Sequence, residues 1–150
     1  MKNDEAVSTL NSLIETCKDG QKGFKEAAEG LKSADIKATF MEYSRERAQM
    51  AAELQGAVRS LGGDPDKGGS MSGSIHRGWI DLKAALTGRD DHAILTEAER
   101  GEDVAKAAYE SALKEELPAS VRTIVQQQAL KVRRAHDAVR ELRDSHAVSK

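Results

Sequence analysis

The chain has 150 residues, the length of one domain, and its 23 basic and 25 acidic residues leave a formal net charge of -2. That balance excludes a polycationic surface for nucleic acid, and no apolar run reaches the length of a membrane span. Two prolines, few aromatics and abundant Ala, Glu, Lys, Leu and Arg predict helices rather than sheet.

The first helix is predicted from about Asp4 or Ser8 to Ser33. Leu10, Leu13, Ile14, Cys17, Phe24, Ala27, Ala28 and Leu31 form its apolar stripe, in steps of three and four. Gly20 and Gly23 each cost this helix about 1 kcal/mol against Ala. Such glycines suit a place where a neighbouring helix comes close, so tight packing is expected there. SAD ends this helix and caps a second, predicted over Ile36 to Leu61, with Phe40, Tyr43, Met50, Ala51, Leu54 and Val58 inward. LGGDP closes it, because Gly62 or Gly63 supplies a left-handed cap and Pro65 forbids continuation. GGDPDKGGSMSG, residues 62–73, reads as a flexible link within a single domain of residues 1–150.

SIHRGWIDLKAAL predicts a short helix that lays Ile75, Trp79, Leu82 and Leu86 on one face. Asp90 or Asp91 caps the third long helix, predicted from about Ala93 to Leu117, where Pro118 breaks it. The fourth runs from about Ala119 to His146, with Val121, Ile124, Val125, Val132, Ala135, Val139 and Leu142 inward. Its Lys131, Arg133, Arg134 and Arg140 alternate with Asp137, Glu141 and Asp144, which reads as a solvated face. Short turns make the first and second helices antiparallel neighbours, and likewise the third and fourth. The second and third are joined by a connection long enough to travel the length of the bundle. Four long helices with one long crossover carrying a short extra helix is the ferritin-like, all-α arrangement. An ordinary up-and-down bundle is the alternative.

The ordered stretches LIETCKDGQKGF, RAQMAAELQ, LGGDP, HRGWIDLKAAL, GRDDHAIL, ERGEDVAKAAYESAL and HDAVRELRD resemble a bacterial ferritin-like four-helix-bundle family known as a domain of unknown function. The resemblance covers nearly the whole chain. It implies the fold and the long crossover, suggests a stress-related setting, and transfers no enzymatic activity. Ferritins and rubrerythrins, its better-known relatives, hold two irons between a Glu on each of two helices and a Glu-x-x-His on each of the others.

Glu102 makes that comparison pointed, because it stands on an apolar face where a bundle wants a Leu, and buried carboxylates are paired or bind metal. The rest of the iron pattern is degraded. In Glu46-Arg47-Ala48-Gln49, Gln stands where His belongs, and Arg47 rather than Glu46 lies on the inward stripe. Arg133 occupies the Glu position before His136. The inward polar layer is therefore read as Gln21, Arg47, Glu102, Gln128 and Lys131. In this reading Arg47 forks onto Glu102 in a vestigial, metal-free position, and no cofactor is expected. The alternative is a divergent di-metal carboxylate protein holding iron through Glu15, Glu46, Glu99, Glu102 and His136 after a register shift.

Other candidates carry less. His76, His92 and His146 share no ligand spacing. Cys17 lies on the apolar stripe with no His beside it, so it reads as a core residue. As a lone cysteine, after an opening stretch with no apolar signal core, it also leads to the expectation of a cytoplasmic protein. The functional expectation is a non-enzymatic bundle that forms a homo-oligomer or binds an unidentified protein partner, without nucleic acid or membrane insertion. Ile75, Trp79 and Leu82 are its interface candidates.

Overall fold

Caps and turns divide the chain where the sequence punctuates it. The computed structural model of the chain describes residues 3–66, 79, 81–88 and 90–148. It contains α1 (Asn3–Gly30), α2 (Ala34–Ser60), α3 (Leu82–Gly88), α4 (Asp91–Leu113) and α5 (Ala119–Val148). No strand occurs among the described residues, so the chain is all-α as expected.

The first helix stops at Gly30, short of the predicted Ser33, because two carboxylate bonds claim the backbone beyond it. Asp91 accepts from the Lys32 and Ser33 amides at 2.9 and 3.1 Å, and the Ser33 hydroxyl accepts from Ile36 at 3.4 Å as the cap of α2. Asp90 caps α4 by accepting from the His92 amide at 3.0 Å. At the other end of α2, Gly62 takes the left-handed conformation with φ 81°. α4 ends at Leu113 rather than Leu117. Arg122 of α5 donates to the Leu113 and Glu115 carbonyls, satisfying groups that a longer helix would have used internally.

The long helices pack in a ring: α1 lies against α2 and α4, and α5 lies against α4 and α2. Asp91 places the start of α4 at the α1–α2 turn. The end of α2 lies at the opposite end, where the Asn11 amide donates to the Asp64 carbonyl at 3.0 Å. α2 therefore ends and α4 begins at opposite ends of the bundle, and the two helices run parallel. No described helix is long and apolar enough to cross a membrane.

Two apolar clusters fill the ring. One gathers Leu10, Leu13, Ile14, Met50, Leu54, Tyr109 and Val125. The other gathers Phe24, Phe40, Ile94, Leu95 and Val139, with Trp79 and Leu82 from the crossover. Phe24 meets Phe40 and Trp79 edge-on, with ring centroids 5.0 and 5.2 Å apart. Along the long helices, Gly20, Arg47 and Glu102 fall between the two clusters. That layer holds the candidate site.

The crossover docks through glycine notches. A methyl group added at Gly23 or at Gly101 would lie 2.4 Å from the Trp79 ring, and one at Gly30 would lie 2.2 Å from Leu86. Only residues without a Cβ let the indole lie flat on α1 and α4. Glu97 accepts from the Asp81 amide at 2.6 Å, and Arg100 binds the Asp81 carboxylate at 2.7 Å, fixing the segment's start. These contacts correct the interface expectation. Trp79 and Leu82 are spent on the chain's own core, 8% and 4% exposed, and are not free to meet a partner. Ile75 lies outside the described residues, as do 74–78 of the predicted short helix; the described part of that helix runs from Leu82 to Gly88.

Candidate functional site

Arg47 stands on the inward stripe of α2 and Glu102 on that of α4, 1% and 0% exposed. Nη1 of Arg47 donates to Oε2 of Glu102 at 2.8 Å, and Nη2 donates to Oε1, so the guanidinium and carboxylate meet as two parallel forks. The pair fits because α1 has no side chain at its level. A Cβ on Gly20 would lie 2.9 Å from Nη1. The guanidinium also sits over the Phe24 ring, 5.4 Å from its centroid. Burial opposes the charge on Arg47, but the facing Glu102 carboxylate overrides it and raises the pKa above the ordinary arginine value. Nε of Arg47 finds no acceptor among the described residues.

A second chain of polar groups runs from α1 to α2 through α4 and α5. The Tyr109 hydroxyl donates to Oε1 of Gln128 at 2.7 Å. The Gln128 amide donates onward to the Met50 carbonyl at 3.2 Å and to Oε1 of Glu53 at 2.7 Å. Tyr109 has one proton and gives it to Gln128, so the Cys17 thiol is the donor in their 3.1 Å contact. Burial pushes the Cys17 thiol up to about 11 and Tyr109 well above its usual value. Cys17 is thus a structural thiol rather than a nucleophile.

This arrangement makes stability fall at alkaline pH. A thiol that ionises near 9.0 when unfolded and near 11 when folded favours the native state below pH 9, and that advantage disappears as pH rises to 11. The expected loss is about 1.4 kcal/mol per pH unit across that window. Denaturant melts from pH 7 to 11 should show it, with a shallower slope between pH 9 and 10 in Cys17→Ala. An unchanged slope would remove Cys17 as its source.

The structure also corrects the predicted layer. Gln21 is exposed, and its backbone carbonyl accepts from the Ser44 hydroxyl at 2.8 Å. The stripe of α1 runs from Cys17 through Gly20 to Phe24, and one residue past Gly20 turns outward. Lys131 is half-buried at the flank of Val132 rather than in the layer. Gln128 is in it, 1% exposed.

The alternative iron ligands do not converge on Glu102. Glu15 is half-buried on α1, with Oε2 lacking a partner among the described residues. Glu46 is half-buried on α2, near Tyr43, whose hydroxyl pKa is raised by burial and then by the Glu102 and Glu46 charges. Glu99 and His136 do meet, but where α4 packs against α5, and Asp103 joins them. Sequence reasoning missed Asp103, although it stands one helical turn after Glu99. At the centre, one carboxylate carries a permanently charged guanidinium. Such a donor set does not fit the iron pair that the resemblance implies.

The sequence model of a family described as a domain of unknown function (DUF2383) matches residues 5–115. The chain belongs to that family. The DUF2383 match contains both partners of the ion pair, the glycines that seat the crossover, and Cys17 with Tyr109. Gln128 and His136 lie beyond it on α5. No curated protein matches the chain.

Proposed function

We propose that the chain is a ferritin-like four-helix bundle with a degenerate centre, and that it acts without catalysis by associating with its own copies in the bacterial cytoplasm. The observation that carries this reading is the Arg47–Glu102 fork, which fills the layer where a di-iron protein concentrates carboxylates. The parallel α2 and α4, joined by the long crossover, support the ferritin-like part. Cys17, kept as a buried thiol, suits a reducing compartment.

Association needs a surface, and Trp79 and Leu82 do not supply it. Leu130 on α5 is 58% exposed, the one large hydrophobic side chain so exposed among the described residues. It borders an α4–α5 groove of about 450 Å³, lined also by Tyr109, Leu113 and Ala129. Sedimentation velocity of the full chain should show a dimer or larger species. Leu130→Glu should return it to monomer with an unchanged melting temperature. A wild-type chain that stays monomeric at high concentration would sink the association reading. Two tightly bound ions per chain, lost on replacing Glu102, would sink the degenerate centre.

A further inference from the structure

We propose that a side-chain cluster between α4 and α5, apart from the groove beside Leu130, binds one divalent first-row cation, zinc in the first instance, through Glu99, Asp103 and His136. This site is separate from the central ion pair and does not depend on it. His136 is 2% exposed, yet both of its ring nitrogens face carboxylates: Nε2 lies 2.6 Å from Oδ1 of Asp103, and Nδ1 lies 3.0 Å from Oδ1 of Asp137. An ionised carboxylate only accepts, and a neutral imidazole carries one N–H. The Asp137 contact takes that proton at Nδ1. At 2.6 Å a hydrogen bond joins Nε2 to Asp103; with Nδ1–H held by Asp137, the alternative is that Nε2 gives its lone pair to a metal ion that also takes the Asp103 carboxylate.

The third donor makes the metal the sharper reading. Glu99 is one turn before Asp103 on α4, and the three ligand atoms all lie within 4.8 Å of one another. Donors around a tetrahedral zinc stand about 3.4 Å apart, given bonds of about 2.0–2.2 Å. Binding thus requires the Asp103–His136 contact to open by less than about 1 Å. Asp103 can move that far because its side chain is 61% exposed. Two carboxylates and a neutral imidazole balance a doubly charged ion, and the mixed nitrogen and oxygen set suits zinc over calcium or magnesium. Asp137 plays the outer role common to metal-bound histidines, holding Nδ1–H and orienting the ring. A solvent water completes the coordination on the exposed side, beside Asp103.

One group competes. Arg143 now pairs with Glu99. It has a second acceptor at hand, donating from Nε and Nη2 to Oδ1 of Asp144 at 3.1 and 2.9 Å. A cation that takes Glu99 leaves Arg143 on Asp144.

The test is calorimetric titration of the untagged full chain, stripped with chelator, using Zn²⁺ alone. One ion per chain is expected. Asp137→Asn should weaken binding about 10–100-fold, and Asp103→Asn should weaken it further. Arg143→Gln should tighten binding, because it removes the competing cation, and a merely structural cluster would not give that result. Asp103 and Asp137 are exposed and Arg143 is half-buried, so their variants should fold even if His136→Gln does not. Binding should persist in the Glu102→Leu, Arg47→Met double variant, which separates this site from the central one. No zinc uptake, or uptake that Asp103→Asn leaves unchanged, would overturn the proposal.

Discussion

Glu102→Ala should cost the protein about 3–5 kcal/mol of stability, and Arg47→Ala at least as much, because each strands a charge in the buried core. The same replacement in a surface ion pair costs about 0–1 kcal/mol. Burial decides between those figures, since the partners are 1% and 0% exposed and hold each other through both forks. Arg47→Ala carries an added loss, because the stem of a large buried side chain leaves a cavity beside Gly20. The double replacement Glu102→Leu with Arg47→Met removes both charges and keeps most of the volume, so it should recover most of what either single variant loses. Denaturant melts of the four proteins measure this directly. Single effects below about 1 kcal/mol that simply add would show that the two residues do not act as a pair.

The same residues show how far sequence alone reached. Arg47 and Glu102 were legible because each falls on an apolar stripe whose period is that of a helix, and a charge there needs a partner. Gly20 and Gly23 were legible as close approaches for the same reason. Which neighbour fills a notch is a tertiary fact, and the Trp79 ring at Gly23 could not be read from spacing. The error at Gln21 is a matter of one residue on a helix wheel: an i+4 step from Cys17 points inward, but the stripe takes the i+3 step to Gly20 instead. Asp103 was missed because it lies on the outer face of α4, and only the packing of α5 against α4 brings His136 to it. The end of α4 shifted because an Arg122 guanidinium from the next helix satisfies its last carbonyls, a contact with no local signal.

The docking of the crossover gives the second large effect. Gly101→Ala adds a single methyl group to a helix, which in open space would favour the helix by about 1 kcal/mol. Here the new Cβ would lie 2.4 Å from both Cε2 and Nε1 of Trp79. The rigid indole cannot yield by turning a flexible end, and α4 is held by α1 and α5. Trp79 must therefore leave its seat, and with it goes burial worth about 3–5 kcal/mol, the usual cost of Trp→Ala in a core. Gly56→Ala is the internal control, because nothing lies within 4 Å of its added Cβ; that variant should be neutral or slightly more stable. Trp79 is the chain's single tryptophan, so its emission reports the event without a label. Gly101→Ala should shift that emission to the red and lower the melting temperature, whereas Gly56→Ala should leave the emission unchanged. Combining Gly101→Ala with Trp79→Ala should cost less than the sum of the two, since the methyl then enters space the ring has vacated. Unshifted emission and full stability in Gly101→Ala would mean that Trp79 does not lie on α4 at all.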